Sequence, residues 1–412
     1  MRIHEGSIIS MDETYGRILE DIRTIDIYST HCHHREDSFY SHMTLDQIFS
    51  NSYVTFTQPL AAGSRVEREL FLERNRFNTY FLWLERSITE IYHTPGRITA
   101  ENWDDISQRI SAAYQSNPAL HLDILKNNCR LTRTIEDAYW EPGSDLGHPE
   151  FFSPAFRINM FTYALDPDPH DHDNTYLYQQ CPREALPADL DEFIAWMEEQ
   201  IKVRVHHGCC ALKSGLAYGR DLHFLPQNRD HIARLFRMDK ALLTEKDRHD
   251  FSDYVMYELC RIAADLNLPF QHHTGLAALD RTNAMQLKEL IGQNPETKFV
   301  LFHGGYPWME DIYALIHNFT NTYADLCWLP VISTSAAERM ILELLEVGQT
   351  HRIHWGLDTW ISEESYGEVL AIEHALSSVL AAQVEKGFYT YEDAALIARR
   401  ILRENAKELY GI

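Results

Sequence analysis

The 412-residue sequence predicts an α/β fold: a (β/α)8 TIM barrel, formed as a single domain over residues 1–412. Three observations predict it. Short apolar, β-rich runs recur eight times from end to end, amphipathic helical patterns separate them, and several runs finish on histidine or aspartate. Strand–helix alternation implies parallel pairing through right-handed crossovers, and eight such units close into a barrel. An open doubly wound sheet is the structural rival, but no Gly-rich phosphate loop follows the first strand to support it.

The runs come in this order: TIDIYSTH (24–31), CRLTRTIED (129–137), FRINMFTYAL (156–165) and GCCALKSG (208–215), then LPFQHHTG (268–275), KFVLFHGG (298–305), NTYADLCW (321–328) and RIHWGLDT (352–359). Between the last four lie MQLKELIGQ, WMEDIYALIHNF and AAERMILELLEVG, with apolar residues three and four apart, as on an amphipathic helix. The long interval after the first strand is helical in pattern. There RVERELFLERNRFNTYFLWLERSITEIYH reads as one long helix and TAENWDDISQRISAAYQSN as another, so residues 36–125 are expected as a helical insertion over the active-site mouth. The stretch DPDPHDHDNTYLYQQCPREALPADL has turn chemistry and no periodicity, and reads as an irregular lid after strand 3. Helices over 363–410 should close the barrel.

Composition narrows the function classes. A hydrophobic content of 45% with 24% charged residues is that of a soluble globular protein. There is no apolar run of membrane-spanning length, and the N-terminal residues lack the pattern of a secretory signal, so a cytoplasmic protein is expected. Seven scattered cysteines, two of them adjacent at Cys209 and Cys210, do not form a disulfide framework. The net charge of −24 argues against nucleic acid and anionic membranes as partners. A small-molecule substrate is the expected partner. Barrels of this kind often associate into homo-oligomers, and no residue pattern here specifies it.

The histidines carry the chemistry. In such a barrel the C-terminal strand ends converge on one face. Side chains alternate along a strand, so His31 and His33 point one way while Cys32 and His34 point the other. Strand 5 ends in FQHHTG, strand 6 in LFHGG and strand 8 in HWGLD, so imidazoles and a carboxylate meet at one mouth. That donor set suits a divalent metal ion, zinc first, with manganese or iron compatible. Lys213 interrupts an otherwise apolar strand, where an unpaired ammonium is costly. It either faces the site or forms a buried salt bridge. Arg220, Arg157 and Tyr218 are the candidate handles for a substrate anion. Tyr323 and Asp325 share a face of strand 7. The HDHD at 170–173 looks like a second metal motif, but in a loop solvated histidines are the expectation.

The stretches IDIYSTHCH, ALKSGLAYGRDL, LPFQHHTG, KFVLFHGGYPW, TYADLCW, RIHWGLDT and RILRENAKELYGI resemble the amidohydrolase superfamily, in particular its amidohydrolase-related hydrolases and non-oxidative decarboxylases. The HCHH motif and the insertion are more loosely similar to uronate isomerases. The resemblance implies that His31, His33, His273 and Asp358 are metal ligands, with His272 the register rival of His273. It implies catalytic roles for Asp358, as a proton carrier, and for His303, as a carbonyl-polarising group. Lys213 falls where two-metal members carry a bridging carboxylated lysine, which leaves one or two ions open. The implied activity is metal-dependent hydrolysis of an amide, ester or lactone in a small polar, carboxylated or neutral molecule. Sugar-acid isomerisation and decarboxylation are the alternatives.

Overall fold

The computed structural model describes residues 11–180 and 185–412. Eight parallel strands pair in sequence order: β1 (Ile27–Cys32), β2 (Leu131–Glu136), β3 (Phe152–Arg157), β4 (Ala211–Ser214), β5 (Pro269–His272), β6 (Lys298–Leu301), β7 (Thr322–Asp325) and β8 (Ile353–His354). Past the end of β8 the chain turns back onto β1. The Leu357 and Asp358 amides both donate to the His31 carbonyl at 2.9 Å, and the His33 amide donates to Thr359 O at 2.9 Å. With helices flanking the strands, this is a (β/α)8 TIM barrel.

Period-2 alternation sorts the side chains into two layers. Ile135, Ala155, Ala211, Val300 and Phe302 form one apolar cluster with Ala406, Leu409 and Tyr410 of the C-terminal helix Asn405–Tyr410. Leu212, Phe270, Phe299 and Leu301, on the alternate positions, pack in the large core shared with the helices. Lys213 therefore shares the face of Ala211, and Arg157 that of Ala155. Gln271 points with the first set and His272 with the second.

Two expectations are corrected by the structure. Strand 3 lies at Phe152–Arg157 and not 156–165. Residues 159–162 form a single helical turn buried beside the strand end, and Pro154 sits inside the strand, where its carbonyl accepts from Cys210 N at 3.0 Å. The long helix of the insertion is two helices, Arg65–Asn75 and Thr79–Tyr92. Asn78 breaks it by capping the second, its side chain accepting from Tyr80 N.

The helices between β1 and β2 enclose their own apolar cluster around Trp103, Phe49, Phe81 and Ile106. They meet the long helix Ser362–Glu385 that follows β8. That helix turns glutamates inward. Glu363 accepts from Tyr92 Oη at 2.5 Å and Tyr114 Oη at 3.0 Å, and Glu364 accepts from Tyr53 N at 2.7 Å. Among the described residues no helix is long and apolar enough to cross a membrane.

Candidate metal centre

The C-terminal ends of the strands bring three donors to one point. His31 Nε2 lies 3.3 Å from His33 Nε2 and 3.5 Å from Asp358 Oδ1, and His33 Nε2 lies 3.1 Å from that same oxygen. A triangle of these sides has a circumradius of about 1.9 Å, so the three atoms are spaced as the donors of one divalent ion are, and these residues would hold it.

Proton bookkeeping supports the fit. His33 Nδ1 donates to the Asp137 carbonyl at 2.8 Å, so in the neutral ring Nε2 carries a lone pair aimed at Asp358. Two lone pairs then face each other at 3.1 Å, an arrangement that a cation between them relieves. A ligand histidine fixed by a backbone carbonyl through its other nitrogen is the usual support for a metal. Burial pushes the His31 ring far below the ordinary histidine range, and the nearby Lys213 adds to the effect, so the ring is neutral at physiological pH.

Asp358 reaches the centre through a left-handed backbone, φ 60°, as does His303 at φ 62°. A non-glycine residue held there costs on the order of 1–3 kcal/mol and persists only where packing over-determines it. The barrel seam does so here, through the two amide bonds onto His31 O.

The other expected residues divide. Lys213 Nζ lies 3.3 Å from His31 Nε2 and over the Phe302 ring, and burial lowers its pKa. Arg157 is buried and donates through Nε and Nη2 to Asp137 Oδ2 at 3.1 and 2.5 Å, and through Nη1 to Asp173 Oδ2 at 2.5 Å. Tyr218 stacks on His172 and tilts against His273. His273 does not reach the three donors directly. Its Nδ1 meets His303 Nε2 at 2.9 Å, and its Nε2 donates to Leu276 O at 2.8 Å. His272 turns away, between Phe270 and Phe299. His303 is fully buried, and burial brings its pKa down to about 4. Arg220 stands apart, donating to Asp253 and Ser252 of the helix Glu245–Asp265.

A cavity of about 160 Å³ opens onto the donors, lined by His33, Lys213, His273 and Asp358, by Arg157 and Gly215, and by a wall of Tyr53, Phe56, Tyr139, Tyr218 and Trp360, with His172 and Asp173. A larger groove of about 620 Å³ near Leu165, Phe236 and Lys240 lies elsewhere and does not include these donors. Several participants escaped the sequence reading, Phe56, Tyr139 and Trp360 of the aromatic wall among them. Asp137, one carboxylate in an acidic strand end, carries no spacing signal. Tyr53 arrives from the insertion and donates its hydroxyl to Asp358 O at 2.8 Å. Of the HDHD stretch, whose histidines were expected in solvent, His172 and Asp173 line the cavity, where Asp173 pairs with Arg157.

The amidohydrolase family profile matches residues 189–412, more than half of the chain. Over 152 residues the chain is 35% identical to Protein fluG of Emericella nidulans, a match covering 35% of this chain and 18% of that much longer protein. Among solved structures, a uronate isomerase of Thermotoga maritima superposes with a TM-score of 0.76 at 15% identity, over 100% of both chains. A glucuronate isomerase of Caulobacter crescentus gives 0.75 at 14% identity, over 100% of this chain and 97% of that one. A structure assigned as a metal-dependent hydrolase from Lactobacillus casei gives 0.68 at 16% identity, over 96% of this chain and 97% of that one. At these identities the structural likeness is one of fold. With the family profile spanning β4 to β8 and the C-terminal helices, the chain belongs to the amidohydrolase family.

Proposed function

We propose that the protein is a metal-dependent hydrolase of an amide, ester or lactone bond in a small molecule. The observation that carries this reading is the convergence of His31, His33 and Asp358 on one point that borders a cavity. When bound, a divalent cation supplies Lewis acidity to the substrate carbonyl and to water.

The chain's own residues do the rest. Asp358 presents Oδ1 to the His31/His33 side and Oδ2 to the His303 side, so it is placed to take a proton from the attacking water and return it to the leaving group. Lys213, lining the cavity beside His31, is placed to hold the carbonyl oxygen as charge develops there. The aromatic wall excludes water and packs against the apolar part of the substrate. Arg157 is already neutralised by Asp137 and Asp173, and it works as a rigid strut for the wall more than as an anion clamp. Neutral substrates are therefore favoured over carboxylated ones.

A second reading, aldose–ketose isomerisation of a sugar acid, draws on the full-length likeness to two uronate isomerases. The neutralised Arg157 and the remote Arg220 weigh against it, because neither guanidinium is free in the cavity for a uronate carboxylate.

Elemental analysis of the purified protein is expected to find zinc, manganese or iron, lost from a His31→Ala/His33→Ala variant. Panels of N-acyl compounds, esters and lactones should show metal-dependent turnover, and uronates none. Unchanged metal content in the variant would overturn the site. Turnover of uronates alone would overturn the reaction.

A further inference from the structure

His172 has no part in the reading above, and Asp173 enters it only as a counter-ion, yet both line the cavity. The turn that carries them is anchored through both carboxylate oxygens of Asp171. Its Oδ1 accepts from the amides of Asp173 at 3.0 Å and Thr175 at 2.7 Å, and its Oδ2 accepts from Asn159 Nδ2 at 2.9 Å. Asn159 Oδ1 in turn accepts from Gly215 N at 2.9 Å, which ties the turn to the residue that follows β4. His172 and Asp173 are thus held at the cavity by the barrel and not by chance of a loop.

Two acceptors are left open there. Asp173 Oδ2 is occupied, by Arg157 Nη1 at 2.5 Å and by His172 Nε2 at 3.0 Å, while Oδ1 accepts from none of the described residues. A carboxylate facing Nε2 places the ring proton on that nitrogen, so in the neutral ring His172 Nδ1 is an acceptor, and it too has no partner among the described residues. Burial opposes ionisation of Asp173, but the contacts with His172 and Arg157 outweigh it and hold the carboxyl below its ordinary range. The one guanidinium of Arg157 faces two carboxylates, Asp137 and Asp173, so this cluster keeps a surplus negative charge. Lys213, the other cation of the cavity, stands with the metal donors, 3.3 Å from His31 Nε2. Aromatic rings complete the surroundings: Tyr218 stacks on His172 with centroids 4.2 Å apart, and Tyr53 lies 4.8 Å from Trp360. Open acceptors with surplus negative charge, set beside electron-rich rings, make the environment that recognises an ammonium.

We infer that His172 and Asp173 form a recognition pair for a protonated amino group, carried on the part of the substrate that is not cleaved. The ammonium donates to Asp173 Oδ1 and His172 Nδ1 and packs on the aromatic wall, so the substrate class is an amino-substituted amide, ester or lactone. The inference rests on this cavity being the substrate site, as proposed above, but on neither the metal nor the reaction.

The test is calorimetric titration of the full-length protein with benzylamine, benzyl alcohol and benzoate, probes of one ring size with a cationic, neutral or anionic end. Benzylamine is expected to bind at least about tenfold more tightly than benzyl alcohol, the worth of a charge-assisted hydrogen bond, and benzoate least of all. Asp173→Asn should bring the amine to within about twofold of the alcohol without weakening the alcohol. His172→Ala, which leaves Arg157 and Asp173 paired, should remove part of the amine preference, and Trp360→Leu should weaken amine and alcohol alike. The His31→Ala/His33→Ala variant should keep the amine preference, so failure of the metal site reads differently from failure of this pair. Benzylamine binding no tighter than benzyl alcohol, absent binding included, or an amine preference retained by Asp173→Asn would overturn the inference.

Discussion

Glu364 ties the insertion to the barrel, and its replacement by glutamine tests how. Its Oε1 accepts the Tyr53 amide at 2.7 Å, its Oε2 is buried without a partner, and Tyr53 in turn donates its hydroxyl to Asp358 O. Burial pushes the Glu364 carboxyl from 4.5 up to about 8, with the Asp358 charge adding to the rise and the Tyr53 amide opposing it. The folded pKa is raised, so the folded state binds the proton more tightly than the unfolded chain. The resulting stability is fully present below about pH 4.5, declines between about 4.5 and 8, and is absent above. At about 1.4 kcal/mol per unit, the fall between about pH 5.5 and about pH 7.5 is on the order of 2.5 kcal/mol from this group alone. Glu364→Gln mimics the protonated acid, keeps an acceptor for Tyr53 and cannot ionise. Urea unfolding of the metal-free wild type and variant at those two pH values should therefore show a loss smaller by about 2–3 kcal/mol in the variant. An equal loss in both proteins would refute the idea that a buried, neutral Glu364 holds the insertion at neutral pH.

Three further substitutions probe separate layers. A Cβ at Gly356 would stand 2.6 Å from both His31 N and Thr30 Oγ1, so Gly356→Ala should prise the β1–β8 seam apart. A loss of about 1–3 kcal/mol in calorimetry is expected, with reduced metal content beside it; a stable variant with full metal would show that the seam does not hold Asp358 in place. Trp103→Ala empties the centre of the insertion's own cluster, and about 3–5 kcal/mol should be lost in denaturant unfolding. Ser64→Ala removes a capping box with Glu67 at the start of the helix Arg65–Asn75, and should cost about 1 kcal/mol without altering metal binding by dialysis.

The strand ends were legible because two periodicities coincide there. A strand of period 2 makes His31 and His33 neighbours on one face, and a barrel of parallel strands gathers that pair with a carboxylate more than 300 residues away. What escaped lacked such a rule. Pro154 argues against a strand in any local reading, yet β3 runs through it. The run after it, 158–165, reads as strand from composition alone, but residues 159–162 make a buried helical turn. The roles of His273 and His303 depend on a proton whose position is set by Leu276 O, a backbone atom with no trace in residue identity. The same holds for Arg157: its charge suggests an anion handle until Asp137 and Asp173, from two different connections, are seen to consume it. Ligand identity can thus be read from side-chain type and spacing. Ligand state depends on which buried acceptor lies behind each ring: Asp137 O holds the proton of His33 on Nδ1, and Leu276 O holds that of His273 on Nε2.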